Sequence, residues 1–236
     1  MSKYKKNYLT RVAVRIEFPE ISGITEDESS IETFKEIFED EFPAIAFENY
    51  IIKDYEFIKN VWIFQRRDKE IQLTNSFIEL IYDEGRYEGS EELFRDVDLL
   101  FEALNENEIE DAIYMGLRYV NEITPKEKVK DWSEWIDSDL LNFNFKPDNS
   151  DFIRGLSKYE YRIDKYFLSM QYGQYNLSYP STHIQDDFIL DYEAYVTSDD
   201  TRYLRKYVRK MHEIIIDFFE TSIRDGFRKD LEMIEE

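Results

Sequence analysis

The segment TRVAVRIEFPEI, residues 10–21, decides how the first part of this chain folds. Apolar and polar side chains alternate along it, so that Val12 and Val14 fall on one side and Arg11 and Arg15 on the other. A period of two residues is typical of a strand with one covered face. The segment therefore predicts a sheet strand whose arginines point away from the core.

A second stretch resembles the first one. The segment LRYVNEI, residues 117–123, also carries an arginine in second place, so that Arg118 corresponds to Arg15, and it also closes on Glu-Ile. Each stretch opens the same predicted order of strand, helix, several strands and helix. We therefore expect two equivalent units, residues 1–110 and 111–236, fused into one globular protein.

The expected fold class is α+β, with tandem pseudo-duplicated β-α-β(3-4)-α units. Each unit should curl a mostly antiparallel sheet against its long final helix, and the two sheets should join about a pseudo-twofold into one curved surface. This order is also that of the saddle-shaped TATA-box-binding-protein-like topology. The likeness is one of fold alone and carries no function.

Helix ends and one turn are predicted from local signals. Ser29 with Glu32 has the spacing of a capping box, and Ser90 is placed as the N-cap of the next long helix. The final helix is expected to start at about Thr201. Between two strand candidates, residues 68–69 are predicted to form a tight turn.

Composition predicts a folded protein and excludes cysteine chemistry. The chain has 236 residues, of which 42% are hydrophobic and 17% aromatic, and it has no cysteine. This rules out disulfides, thiolate metal sites and cysteine nucleophiles, and it fits the cytoplasm. The basic start MSKYKKNYLTR is not followed by an apolar leader segment, and no apolar run approaches the roughly 20 residues needed to cross a bilayer.

The formal net charge of −22 bears on partners. Such a charge repels nucleic acid and anionic lipid unless cations are segregated, and it favours basic partners. We therefore expect a protein partner of basic character, with neither nucleic acid nor membrane, and the sequence leaves room for a homodimer. The simpler reading is a heavily solvated surface.

Motifs for catalysis are missing from the sequence. Glycine-rich phosphate loops do not occur, and a zinc-peptidase pattern starting at His212 would need a histidine where Ile216 stands. His183 lies in a polar segment near Asp186 and Asp187, the least weak carboxylate pair for metal or acid–base work. We read both histidines as structural, and we expect no cofactor, no metal site and no catalytic residue.

Two surfaces remain as binding candidates. The first is the uncovered sheet face, where alternation places Arg11, Arg15, Gln72, Arg118, Arg162 and Tyr172. Arginine and aromatic residues dominate interface hot spots, which makes this face a natural docking surface. The alternative is cross-strand ion pairing of these arginines with Glu17 and Glu160.

The second surface is a basic stripe on the final helix, whose members recur at helical spacing: Arg202, Arg205, Lys206, Arg209 and Lys210. Segregated cations in so acidic a chain could contact phosphate or an acidic partner surface. The alternative is pairing with acidic neighbours such as Glu213, four residues after Arg209.

Four segments in matching order resemble a sporadically distributed prokaryotic family of uncharacterised proteins. They are the run from Tyr4 through LTRVAVRIEFP, the block from Val61 to Phe94, GLRYVNEI from Gly116, and MHEIIIDFFETSIRDGFRKDL from Met211. The resemblance implies no catalytic residues, and the patchy distribution suggests phage-defence or toxin–antitoxin loci. This chain has Tyr8 where the family commonly has proline and Ser90 where it commonly has tryptophan.

These observations favour a non-enzymatic binding or regulatory module that recognises a protein partner through its open sheet face. The alternative is a sensor or enzyme for a small phosphorylated or nucleotide ligand, held between the sheet and the C-terminal helix. Its pocket would be lined by Arg15, Arg118 and His183. The sequence leaves open whether any reaction is catalysed.

Overall fold

The computed structural model describes residues 4–25, 27–52, 57–67, 69–83, 86–125, 131–141, 153–176, 178, 180 and 187–232. Its architecture is α+β, with a large open antiparallel sheet and helices packed on one side, as the sequence predicts at this level. The sheet runs continuously through residues from both predicted units, 1–110 and 111–236.

Nine strands form this single sheet. They are β1 (Leu9–Glu17), β2 (Ala44–Ile52), β3 (Phe57–Arg66), β4 (Lys69–Leu73), β5 (Phe77–Tyr82), β6 (Asp111–Ile123), β7 (Gly155–Ile163), β8 (Tyr166–Gln174) and β9 (Phe188–Asp200). Their order across the sheet is β2-β3-β4-β5-β1-β6-β9-β8-β7. The strands that carry the two similar segments, β1 and β6, are therefore central neighbours, and β2 and β7 are the edges.

Four α-helices accompany the sheet in the described part of the chain: α1 (Glu32–Phe38), α2 (Ser90–Glu106), α3 (Leu204–Ser222) and α4 (Asp225–Asp230). Short 3-10 turns cover Glu28–Ile31, Trp132–Glu134, Ser138–Leu141 and Thr201–Tyr203. Helix α3 contacts β6, β9 and α2, and α1 packs against α2. No helix in these ranges combines the length and apolar character that crossing a lipid bilayer requires.

Three helix starts differ from the sequence prediction. Asp27, and not Ser29, caps the first helical turn by accepting from the backbone N–H groups of residues 29 and 30. Gly89 is the N-cap of α2, so Ser90 is its first residue. The final α-helix begins at Leu204, because residues 201–203 form a tighter 3-10 turn that the Asp200 carboxylate caps.

The core lies between the sheet and the helices. Val14 of β1 is opposite Leu117 of β6, and both side chains are essentially inaccessible to solvent. They meet the apolar stripes of α2 and α3, which include Leu100 and Met211. Burying each such side chain contributes about 1.5–3 kcal/mol, which fixes the covered side of the sheet.

One charged cluster is buried within this core. The Lys69 ammonium lies 2.5 Å from Asp96 Oδ2 and 3.1 Å from Glu92 Oε1, and the side chains of Lys69 and Asp96 are 1% and 0% exposed. The Tyr82 hydroxyl also donates to Asp96. Burial raises the pKa of the Asp96 carboxyl above its ordinary value. The sequence predicts a tight turn at residues 68–69, and for Lys69 this is wrong, because Lys69 is the first residue of β4. Asp68 lies outside the described residues.

Candidate functional site

The side of the sheet that the helices leave uncovered, called the open face below, holds most of the predicted binding residues. Arg15 is opposite Glu79 on one side and Gly116 on the other. When the strand pairing is followed from Arg15 toward both edges of the sheet, Gln72 and Arg162 lie in the same cross-strand row as Arg15. Arg118 lies in the next row, opposite Ala13, and Arg11 lies in the one after it. Five of the six predicted residues are therefore on this face.

The sixth prediction, Tyr172, is wrong. Tyr172 is 5% exposed and lies opposite Leu190 on the helix-covered side, where its ring stacks on that of Tyr159. The reason is the two-residue turn that joins β7 to β8. It places Arg162 opposite Phe167, so odd-numbered residues of β8 share the open face. Even-numbered ones, including Tyr172, face the core.

Three of the four guanidinium groups predicted for the open face are held by carboxylates, whereas Arg162 donates to the backbone carbonyl of Asp164. Arg118 makes two parallel bonds to Asp191, with Nε 2.9 Å from Oδ1 and Nη2 2.7 Å from Oδ2. Arg15 lies 2.7 Å from Glu17 and 3.3 Å from Glu79. Arg15 is therefore ion-paired with Glu17, as the alternative expects, but this pair lies within β1 and the cross-strand partner is Glu79. Glu160 instead pairs with Lys158 of its own strand, at 3.4 Å.

Pairing does not remove these groups from solvent. The side chain of Arg118 is 45% exposed and that of Arg15 is 32% exposed. Arg15 also lies over the Phe77 ring, 3.9 Å from its centroid. The face therefore presents guanidinium groups of fixed orientation and balanced charge, which differs from the bare cationic surface that a phosphate backbone would require.

A strip of aromatic rings crosses the second half of the open face. The Tyr195 ring stacks on Tyr114 and on Phe167, with centroid distances of 5.4 and 5.3 Å. All three residues are half-buried. The Tyr114 hydroxyl donates to Glu193 at 2.7 Å, and burial with this carboxylate raises its pKa.

Gly116 makes this strip possible. A Cβ atom at this position would come within 2.1 Å of the Tyr114 hydroxyl oxygen, so any larger residue would push the ring aside. Gly116 lies opposite both Arg15 and Tyr195. The glycine thus lets one tyrosine lie flat across the centre of the open face. Sequence reasoning missed the strip, although the odd-numbered alternation of β9 could have indicated Tyr195.

The basic stripe of the final helix is exposed but divided. Arg205 and Arg209 lie over the α2 rings of Phe101 and Phe94, each 4.2 Å from the ring centroid. Arg205 Nε also lies 2.6 Å from Asp98.

The other three stripe residues point elsewhere. Arg202 belongs to the 3-10 turn and pairs with Asp200 at 2.5 Å. Lys210 pairs with Glu213 at 2.9 Å. Lys206 is exposed and makes no ion pair with any residue that the structure describes. The acidic-pairing alternative therefore accounts for most of the stripe, although the partner of Glu213 is Lys210 and not Arg209.

A cavity of about 180 Å³ lies on the covered side, between β6, α3 and the N-terminal segment. Three of its lining side chains form a hydrogen-bonded chain: Tyr87 to Tyr119 at 2.8 Å between hydroxyls, and Tyr119 to His212 Nδ1 at 2.8 Å. Burial lowers the pKa of His212 and raises that of Tyr87 to about 12. At neutral pH the chain is therefore uncharged.

The predicted lining of such a pocket is wrong in part. Arg15 and Arg118 belong to the open face, on the other side of the sheet from this cavity. His183 and Asp186 lie outside the described residues. Within the ranges that the structure describes, no three histidine, aspartate or glutamate side chains are grouped closely enough to hold a metal ion.

Comparison with known proteins adds no assignment. The chain matches no protein-family model and no curated protein sequence.

Proposed function

We propose that this protein is a non-enzymatic binding module whose open face docks a protein partner. The observation that carries the proposal is the adjacency of two kinds of group on that face. Rings of Tyr114 and Tyr195 lie beside the oriented guanidinium of Arg118, which is half exposed although bonded to Asp191. Tyrosine and arginine are among the residue types that dominate interface hot spots. Side chains that are already held in place also lose little conformational entropy on binding.

The partner that fits best carries a basic surface. Three of the four predicted arginines of the open face, Arg11, Arg15 and Arg118, already have carboxylate partners, whereas Glu193 of the same face has only a hydroxyl donor among the contacts described. The net charge of −22 adds long-range attraction for a cation. Nucleic acid is disfavoured for the same reasons, because its phosphates need unpaired cations.

We further propose that the sheet arose by internal duplication and that it is saddle-like. Two observations support the duplication. The strand order places the final strands of the two units, β5 and β9, outside the central neighbours β1 and β6. The central register is also symmetric: Arg15 is opposite Gly116, and its counterpart Arg118 is opposite Ala13, the counterpart of Gly116. An exchange of the two strands leaves this pairing unchanged.

The setting proposed for the module is the one that the family resemblance implies, a phage-defence or toxin–antitoxin locus. In such a locus an acidic module could hold a basic toxin through steered association and an aromatic anchor. The net charge of −22 supports the steering, and the aromatic strip of the open face supports the anchor.

Capture from the source cells tests the docking proposal. The chain is used as bait in three forms: wild type, the double variant Arg118→Glu/Tyr195→Ala, and the control Lys206→Glu, whose site is on α3. We expect wild type and the control to enrich at least one basic protein roughly tenfold or more, and the double variant to lose it. The reason is that truncating one hot spot costs about 2 kcal/mol or more of binding free energy. Equal recovery by all three baits would contradict the proposal.

A further inference from the structure

The cavity between the sheet and α3 has mainly aromatic and aliphatic walls, and its polar groups include His212, Asn121 and the hydroxyl of Tyr192. Its lining includes the rings of Tyr4, Tyr8, Tyr87 and Phe219 together with aliphatic side chains of α3. The N-terminal segment closes one side, because the Lys6 N–H donates to the Leu231 carbonyl. The volume of about 180 Å³ is close to that of engineered apolar cavities, about 150 Å³, that bind benzene.

His212 is one of the polar residues of this lining. An imidazole nitrogen is a stronger base than a phenol oxygen, so we assign Tyr119 as the donor to Nδ1 and Tyr87 as the donor to Tyr119. A neutral His212 then carries its proton on Nε2. This N–H has no hydrogen-bond partner among the described residues, and neither has the Tyr192 hydroxyl, so His212 and Tyr192 each bring a donor without a described acceptor to the lining.

The charges around the cavity argue against a phosphorylated ligand. Two carboxylates, Glu88 and Glu220, belong to the lining, and Glu220 accepts from the Tyr4 hydroxyl at 2.9 and 3.0 Å. Among the described residues of the lining, Lys6 is the one cation, and it already pairs with Glu232 at 2.8 Å. A phosphate would lose its hydration without gaining a free cation.

We propose that this cavity binds a small uncharged aromatic molecule of one ring that carries a hydrogen-bond acceptor, with His212 as the donor to that acceptor. The ring would stack among the tyrosines, and its acceptor would accept a hydrogen bond from the Nε2–H group of His212. The Tyr87–Tyr119 chain holds this histidine in one tautomer. Because the cavity lies on the covered side of the sheet, this site is independent of the docking role proposed for the open face.

Thermal unfolding with a probe panel tests this site. The probes are phenol, benzamide and benzaldehyde, with inorganic phosphate and AMP as anionic comparisons. A probe at a hundredfold excess over its Kd should raise Tm by roughly 5–10 °C. We expect this shift with at least one aromatic probe and none with the anions.

Matched variants locate the binding. Ile216 lines the cavity, so Ile216→Trp should fill it and abolish the shift, whereas Ile113→Trp on an exposed part of β6 should keep it. Arg118→Glu should also keep it, which separates this site from the docking role. No shift with any aromatic probe, a shift that survives Ile216→Trp, or stabilisation by phosphate alone would overturn the proposal.

A second measurement follows binding in the wild-type protein and uses a variant for resonance assignment alone. The chain has two histidines, so the Hε1 proton resonance of His212 can be assigned by its loss in His212→Gln. We expect this resonance to move saturably when the stabilising probe is titrated into the wild-type protein. A His212 resonance that stays in place up to a saturating probe concentration would contradict the assignment of His212 as the donor.

Discussion

Replacing Lys69 with methionine should be among the most destabilising single changes in this chain. The substitution keeps an unbranched side chain in the core but removes the ammonium that lies 2.5 Å from Asp96. Asp96 is fully buried, and one of its oxygens, Oδ1, has no hydrogen-bond partner among the described residues even in the wild type. A buried carboxylate would then remain with a tyrosine hydroxyl as its one described donor.

The expected cost is about 3–5 kcal/mol, the usual penalty for leaving one member of a buried ion pair uncompensated. For a chain of this length that corresponds to a fall in Tm of roughly 6–20 °C. By contrast, Lys210→Met removes an ion pair whose two side chains are 48% and 63% exposed, and it should cost less than about 1 kcal/mol. The double variant Lys69→Met/Asp96→Leu should recover part of the loss, because it removes the charges of Lys69 and Asp96 together but leaves Glu92 without its cation.

The cost should also depend on pH. Burial already raises the pKa of Asp96 above its ordinary 3.8, and loss of Lys69 raises it further. A carboxyl whose folded-state pKa is raised stabilises the fold fully below its unfolded-state pKa, and this stabilisation is lost as pH rises through the folded-state pKa. The difference in unfolding free energy between Lys69→Met and wild type should therefore be small near pH 4 and grow toward pH 8.

Urea denaturation at several pH values measures these quantities. A cost below 1 kcal/mol at pH 7, or a cost that is the same at pH 4 and pH 8, would refute the reasoning from the buried pair.

Three further outcomes are expected. Gly116→Val should displace the Tyr114 ring, so that hydroxyl-radical oxidation of Tyr114 rises while Tm changes by only a few degrees; an unchanged oxidation rate would contradict the close approach. Gly173→Ala should destabilise the protein more than Gly23→Ala, as paired urea denaturation curves can check. Both glycines have positive φ, but a Cβ atom at residue 173 would lie 2.0 Å from a backbone oxygen, whereas a Cβ atom at residue 23 would meet open space. His212 is a base whose pKa burial lowers from 6.5, so its contribution to stability is full above pH 6.5 and is lost as pH falls through the folded-state pKa. The loss of stability between pH 7 and pH 5 should therefore be smaller in His212→Gln than in wild type. An unaltered dependence of stability on pH would show that other groups cause this loss.

The central strands could be predicted because their signal is local. Alternation in residues 10–21 depends only on which side chains must be buried, and it correctly places Arg11 and Arg15 on the open face. The same rule works for Arg118, since β6 is covered on one side only. What alternation cannot supply is the partner of each arginine. Glu79 and Asp191 reach them across strand pairs whose register depends on the whole sheet.

Tyr172 shows where the local rule fails. Its strand follows a two-residue turn, and pairing across that turn decides which residues of β8 share a face with β7. If even-numbered residues kept the same face on both sides of the turn, Tyr172 would lie on the open face together with Arg162, which is not what the structure shows. Counting from the turn itself would have placed Tyr172 in the core.

Charged residues in the core are a second source of error. Asp96 occupies a position between Leu93 and Leu100 on the apolar stripe of α2, so its burial could have been read from helical spacing. Its partner Lys69 could not, because nothing within β4 indicates which helix covers it. The hydrogen bond between His212 and Tyr119 could not be predicted either, because it joins residues far apart in the chain.

The most direct test of the docking surface is hydroxyl-radical footprinting of the captured complex. Free and bound protein are oxidised side by side, and modification is compared at Tyr114, Tyr195 and Phe167 on the open face and at Tyr203, 49% exposed at the start of α3. We predict that oxidation of the three open-face rings falls several-fold in the complex while Tyr203 is unchanged. Undiminished oxidation of the open-face rings, with protection at Tyr203 or the helices instead, would contradict docking through this face.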